Sequence, residues 1–203
     1  MITEKQSNFI KIVGIIAMIS DHLGAFLYPS IIELRIIGRM ALPLFTYQLA
    51  VGSLMTTNKK NYIKRLLCFA FISQVPYYFL MEKLILNIIF SLALGVIAIW
   101  VIENKKYYIF LLIIPISFFV DYHIYGLLMI LIFYFFRSTK IQFILFLLIT
   151  ILYSYFFYPW QLFSVLSLIF IFKPFLEINL PKNFFYIFYP AHLFVILLIK
   201  IIF

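Results

Sequence analysis

Nine apolar runs, separated by only a few charged, proline or glycine residues, occupy approximately 9–28, 36–56, 62–81, 84–102, 107–120, 122–136, 141–157, 161–176 and 184–203. About 20 apolar residues carry a helix across the hydrocarbon core, with a range of roughly 17–25. Lipid offers the backbone no hydrogen-bond partner, so each run must be helical. Hydrophobic residues make up 66% of the 203 positions and charged residues 11%, against roughly 25% charged in a soluble domain. A compact domain of this size has too little polar surface to cover so much apolar area. The expected fold class is all-α: a polytopic membrane helix bundle of about nine transmembrane helices, with eight as the fallback. The short loops leave one integral-membrane domain over 1–203. Nucleic-acid binding, a secreted disulfide scaffold and intrinsic disorder are excluded. The lone Cys68 lies inside an apolar run and is expected to pack.

The net charge of +9 sits in the interruptions between runs, where it orients a chain in the bilayer. With the N-terminus cytoplasmic, the inner set is Lys5, Lys11, Lys59, Lys60, Lys64, Arg65, Lys105, Lys106, Arg137, Lys140, Lys173 and Lys182. The outer set is Arg35, Arg39, Lys83 and Lys200. Twelve against four is a firm positive-inside bias. Reading 107–136 as one crossing reverses the later loops and reduces the bias to nine against seven, which favours two short helices broken near Asp121. No small-residue cleavage site follows the first run, so it is expected to remain as the first span.

Ionisable groups at membrane depth cost at least about 2.5–3.5 kcal/mol and need a partner or a water-filled cavity. In this orientation several converge on the outer half: Asp21 and His22, Arg39, Gln74 and Asn87, Asp121 and His123. His192 lies near the middle of the last run, within Tyr189-Pro-Ala-His-Leu193. Lys11, Met18 and His22 share one helix face, and Gly14, Ala17, Asp21 and Gly24 form a small-residue face suited to close helix contact. Pro43 cannot donate to the Arg39 carbonyl, nor Pro76 to the Ile72 carbonyl, so a kink is expected at each. Plainer roles compete at every position. Asp21 with Arg39 is also read as a buried ion pair, Lys11 as an interfacial anchor, Asp121 as a helix cap and His123 as a loop residue.

Lys11-Ile-Val-Gly-Ile-Ile-Ala-Met-Ile-Ser-Asp-His22 and Arg35-Ile-Ile-Gly-Arg-Met-Ala-Leu-Pro-Leu-Phe45 resemble the opening of the TraX family, known for the F-pilin acetylase. Asn61-Tyr-Ile-Lys-Arg-Leu66, Ser73-Gln-Val-Pro76, Asn87-Ile-Ile-Phe90, Tyr125-Gly126 and Tyr189-Pro-Ala-His-Leu193 extend the resemblance over nearly the whole chain. That family looks related to the integral-membrane acyltransferases of the acyltransferase-3 type. These carry a basic residue at the inner end of the first span, separated by ten intervening residues from a histidine, as Lys11 and His22 are. Lysine replaces the usual arginine here, a point charge in place of a planar fork. The resemblance implies acetyl or related acyl transfer from coenzyme A, with acetyl-CoA as donor, in a multi-pass protein of the bacterial inner membrane.

Acyl transfer needs a base for the acceptor's proton and a positive or hydrogen-bonding group for the developing oxyanion. His22 is expected as the base, oriented by Asp21, with Arg39 at the oxyanion or thioester carbonyl and His192 as acceptor-binding residue or acyl carrier. Lys11 and Arg35 are the candidates for holding the donor, Lys11 beside its phosphates. Gln74, Asn87, Asp121, His123 and Tyr189 are the candidates for the acceptor, a protein N-terminus, peptide, sugar or small amine arriving from the outer side. The lipid bilayer and acyl-CoA complete the expected partners. The rival classes are a small transporter with an Asp/His/Arg relay and a structural subunit; no internal repeat supports the former. A metal site from His22, His123 and His192 lacks any His-x-x-x-His spacing.

Overall fold

The structure is a computed structural model that describes residues 2–181 and 184–202; Lys182, counted among the inner cations, lies outside them. The chain runs α1 (Glu4–Phe26), α2 (Ile32–Gly38), α3 (Ala41–Met55), α4 (Lys59–Met81), α5 (Ile88–Glu103), α6 (Tyr107–Ile116), a 3-10 turn η1 (Ser117–Phe119), α7 (His123–Phe135), α8 (Thr139–Phe156), a 3-10 segment η2 (Pro159–Leu166), α9 (Ser167–Phe172) and α10 (Phe184–Ile202). The described residues contain no strand; Leu86 and Val120 form a single isolated bridge.

The starts of three helices follow from their capping residues. Thr3 and Gln6 form a reciprocal capping box ahead of α1, at 3.0 and 3.2 Å. Asn58 accepts from the Asn61 N–H at 3.0 Å, and Asn87 from the Ile89 N–H at 3.0 Å. Two runs depart from the expected single helices. The run 36–56 breaks at Arg39 and Met40 into α2 and α3, because Pro43 leaves the Arg39 carbonyl without its helical donor. The run 161–176 becomes η2 followed by six residues of α9. Pro174 disfavours helical geometry at Lys173, so α9 ends at Phe172. The segment beyond is extended, and Ile178 N–H donates to the Lys5 carbonyl at 3.2 Å. Between 107 and 136 the chain does break, at Val120–Tyr122 between η1 and α7. Pro76 leaves α4 continuous.

α1 packs on α2 and α3, α3 on α7, and α4 on α5 and α10. The small face of α1 permits two of these approaches. A Cβ at Gly14 would stand 3.1 Å from the Phe45 ring of α3, and one at Gly24 would stand 2.9 Å from the Leu34 Cβ of α2. On the other side of the α1–α2 contact, a Cβ at Gly38 would fall on Asp21, so only glycine admits that carboxylate. Among the described residues, three helices, α1, α8 and α10, are long and apolar enough to cross a membrane. α5, α7, the α6–η1 stretch and the η2–α9 stretch are apolar but shorter. Outward faces are rich in large apolar side chains, among them Phe71, Leu111, Leu112, Ile144, Tyr155 and Ile187. Cys68 is one of the outward residues, a correction to its expected packing role: its position on α4 turns away from the core.

Candidate active site

A cavity of about 350 Å³ lies at the C-terminal end of α1. It is lined by residues from α1, α2, α4, α7, α8 and η2 together with Arg39 and the turn at Asp121–Tyr122. Asp21, His22, Arg35, Arg39, Asp121 and His123 all reach it. Asp21 is the hub of its charge. One carboxylate oxygen accepts from Arg39 Nη2; the other meets Arg35 Nη1 at 3.1 Å. Arg35 Nη1 also donates to the Asp21 carbonyl at 3.0 Å. The break between α2 and α3 serves this arrangement directly. Arg39 Nε donates to the Arg35 carbonyl at 3.1 Å, and its guanidinium lies 5.9 Å from the Tyr122 ring centre and 5.1 Å from that of Tyr158. Arg39 is buried. The carboxylate shared by two guanidinium groups, and the aromatic rings facing the Arg39 guanidinium, offset the desolvation of the buried charge.

His22 takes a different partner from the one expected. Its Nδ1 lies 2.7 Å from Nε2 of His192, with the two ring planes within 4° of each other. His192 Nδ1 stands 3.1 Å from the Phe188 carbonyl. A carbonyl only accepts, so His192 carries its proton on Nδ1 and presents a bare Nε2. His22 Nδ1–H then donates to that nitrogen, which leaves His22 Nε2 as an unprotonated base. The expectation that Asp21 orients His22 is corrected: the two residues are consecutive on a helix and diverge by about 100°, and Asp21 is occupied by the arginines. Tyr189, one turn before His192, is buried with its ring 6.4 Å from that of His22 and 5.3 Å from that of His192.

The turn ahead of α7 brings Asp121, Tyr122 and His123 to the cavity. Leu86 N–H donates to the Phe119 carbonyl at 3.1 Å and Asp121 N–H to the Leu86 carbonyl at 2.9 Å. Tyr122 and His123 both adopt left-handed backbone geometry, which turns the chain sharply there. Asp121 accepts from the Tyr122 N–H at 3.0 Å; it does not cap α7. It lies outside the helices, and burial, then the nearby Asp21 charge, push its carboxyl up to about 6. His123 Nδ1 lies 3.0 Å from the Phe118 carbonyl, and its ring stacks on Phe118.

Gln74 and Asn87 stand elsewhere. Gln74 Nε2 donates to the Ile85 carbonyl at 2.9 Å, while its oxygen accepts from the Asn87 backbone and side chain, each at 2.9 Å. Asn87 Nδ2 also reaches the Ala70 carbonyl at 2.8 Å. These bonds staple α4 to the start of α5, and neither residue lines the cavity. Their expected role in acceptor binding is replaced by this structural one.

Lys11 and Arg35 do not share a site either. Lys11 lines a second cavity, about 480 Å³, at the N-terminal end of α1, with Ser7, Asn8, Gln48, Tyr62 and Arg65. The two cavities have no lining residue in common. Lys11 Nζ donates to Asn8 Oδ1 at 3.1 Å, and Arg65 lies 4.9 Å from the Tyr186 ring centre. The deepest lining residues of α1 and α3 are Ile15 and Phe45, and Phe45 packs on Phe185 with ring centres 4.6 Å apart. Ile15 and His22 are about 10 Å apart along the helix axis. Lys11 and His22 therefore belong to one helix and separate hollows.

Several cavity residues carry no mark in the sequence. Tyr77, Tyr122, Tyr153, Tyr158 and Gln161 all line the first cavity. In a chain with 15 tyrosines, tyrosine is no signal. Gln161 is a polar residue opening an apolar run, the only hint available.

The fold and site define an all-helical protein with membrane-length apolar helices and a partly buried cluster of His, Arg and Asp around one hollow. The chain belongs to the TraX protein family, whose model matches residues 6–200. It is 31% identical over 109 residues to the uncharacterized protein RP591 of Rickettsia prowazekii (strain Madrid E). That match covers 52% of this chain and 42% of the relative, so the chain spans less than half the length of that protein. No solved structure matches the chain.

Proposed function

We propose that the chain is a membrane-embedded acyltransferase that moves an acetyl or similar acyl group from acetyl-CoA to an amine or hydroxyl acceptor. The observation that carries this reading is the relay from the Phe188 carbonyl through His192 to His22, which leaves a bare imidazole nitrogen in a hollow that also holds Arg39. Family membership supports it from a separate direction. His22 Nε2 takes the acceptor's proton as the acceptor's lone pair attacks the thioester carbonyl carbon. The carbonyl electron pair moves to oxygen, stabilised by Arg39. When the C–S bond breaks, His22 returns the proton to the departing thiolate. His192 keeps His22 in the tautomer that can perform both transfers, as an orienting partner does in other acyl-transfer sites.

In this proposal the bundle lies in the bacterial cytoplasmic membrane as a single domain, with about nine crossings and the N-terminus inside. The outward apolar faces support a lipid surround. The donor enters at the cavity of Lys11 and Arg65, whose cations suit the phosphates of coenzyme A. Its thioester meets His22 when the Phe45–Phe185 pair parts. The acceptor reaches the hollow of Asp121 and His123 from the outer side.

The test uses protein in lipid nanodiscs with labelled acetyl-CoA, glycylglycine as amine probe and methyl glucoside as hydroxyl probe. Thiol release that is lost in His22→Ala, with acetyl-CoA binding kept, is the expected result. Absence of both binding and turnover in the wild type overturns acyl transfer and favours a transporter.

A further inference from the structure

Gln161 is fully buried, lines the same hollow as His22 and Arg39, and carries an unpaired donor. Arg39 Nη1 lies 3.5 Å from Gln161 Oε1. A guanidinium only donates, so the amide must turn its oxygen to Arg39 and its NH₂ away. That NH₂ has no acceptor among the described residues. The Tyr125 hydroxyl lies near the Gln161 amide but makes no hydrogen bond of normal geometry with it, being engaged with Thr150 at 2.9 Å and Ser164 at 3.4 Å. A buried amide donor without a partner is costly, a burden that a bound oxygen would relieve. Arg39 complements it. Its Nε–H goes to the Arg35 carbonyl, one Nη2–H to Asp21 and one Nη1–H to Gln161, which leaves two of five N–H donors uncommitted.

We propose that Gln161 Nε2 and the free N–H groups of Arg39 form the oxyanion hole of the transfer reaction. This rests on the acyltransferase reading above. As the acceptor's lone pair forms the new bond to the carbonyl carbon, the C=O π pair moves onto oxygen and the acceptor's proton goes to His22 Nε2. Gln161 donates one hydrogen bond to that oxygen without losing its proton. On collapse the oxygen's electron pair reforms C=O, the C–S bond breaks, and the thiolate takes the proton from His22. Gln161 is unchanged at the end. Its Oε1 contact with Arg39 holds the two donor groups side by side, and its burial keeps water from competing.

The experiment measures kcat and the acetyl-CoA KM for wild type, Gln161→Leu and Gln161→Glu in nanodiscs, with the two acceptor probes above. Removal of one oxyanion donor lowers kcat by about 10²–10³, and the expected acetyl-CoA KM stays within about threefold, since the interaction is made only in the transition state. Gln161→Glu keeps the side-chain shape and the oxygen facing Arg39, so it decides the matter if Gln161→Leu fails to fold. An active wild type with kcat unchanged in the variants overturns the role of Gln161 and leaves acyl transfer standing. A raised KM with kcat unchanged overturns it too, because Gln161 would then bind the ground state. A wild type silent with both probes overturns the acyltransferase reading and this role with it.

Discussion

His22 and His192, 170 positions apart in the chain, face each other across 2.7 Å with their rings nearly parallel. The relationship joins the first helix to the last and sets the protonation of both rings through the Phe188 carbonyl. A pair that acts as one unit is expected to show non-additive losses. His22→Ala and His192→Ala should each reduce kcat by about 10²–10⁴. The double variant should fall no further than His22→Ala alone. A product of the two single losses in steady-state thiol release would separate the rings into independent roles.

Asp21 holds two guanidinium groups, of which Arg39 is the more deeply buried. Removing one member of such a buried cluster leaves charge without a partner, at a cost of about 3–5 kcal/mol. Asp21→Ala should therefore lower the thermal midpoint in detergent far more than Arg35→Ala, since Arg35 is the more exposed partner. Equal midpoints for the two variants would remove Asp21 from its position as hub.

Asp121 makes stability depend on pH in a direction opposite to most carboxylates. Its ordinary value is near 3.9, and in the fold it is pushed up to about 6. The folded state holds the proton more tightly, so this contribution is fully present below about pH 4 and is lost as pH rises through about 6. Asp121→Asn is neutral at every pH. Its thermal midpoint should match wild type near pH 4 and exceed it at pH 8, by an amount equivalent to about 3 kcal/mol. A variant less stable than wild type at pH 8 would contradict the burden placed on that carboxylate.

Topology is open to a direct check. In a Cys68→Ser background, Thr57→Cys and Lys83→Cys occupy the turns before and after α4. A membrane-impermeant maleimide applied to intact cells should modify position 83 and spare position 57. Labelling of both from outside would break the proposed arrangement of crossings.

Much of this architecture was legible from the spacing of apolar runs, because helices in an apolar chain are constrained by length and by backbone hydrogen bonding alone. The convergence of Asp21, His22, Arg39, Asp121 and His123 was also legible, since ionisable groups in such runs need one another. Partner choice was not. Asp21 and His22 are neighbours in sequence, yet a helix sends them to different faces, and only the packing of α10 against α1 shows that His192 claims His22. Gln74 and Asn87 looked like cavity residues because polar amides at membrane depth do; their bonds to Ala70 and Ile85 consume that polarity internally. Gln161 was missed because a single glutamine opening the apolar run 161–176 gives no sign of which way it faces, whereas η2 brings it to Arg39.

The two hollows lie at opposite ends of α1 and share no lining residue, and the packed rings of Phe45 and Phe185 belong to the hollow of Lys11. A chain built this way can be wet at both mouths without offering protons or ions a continuous file of water. In the proposed reaction the thioester passes between the hollows only when that aromatic pair parts, so a transmembrane gradient would survive each turnover.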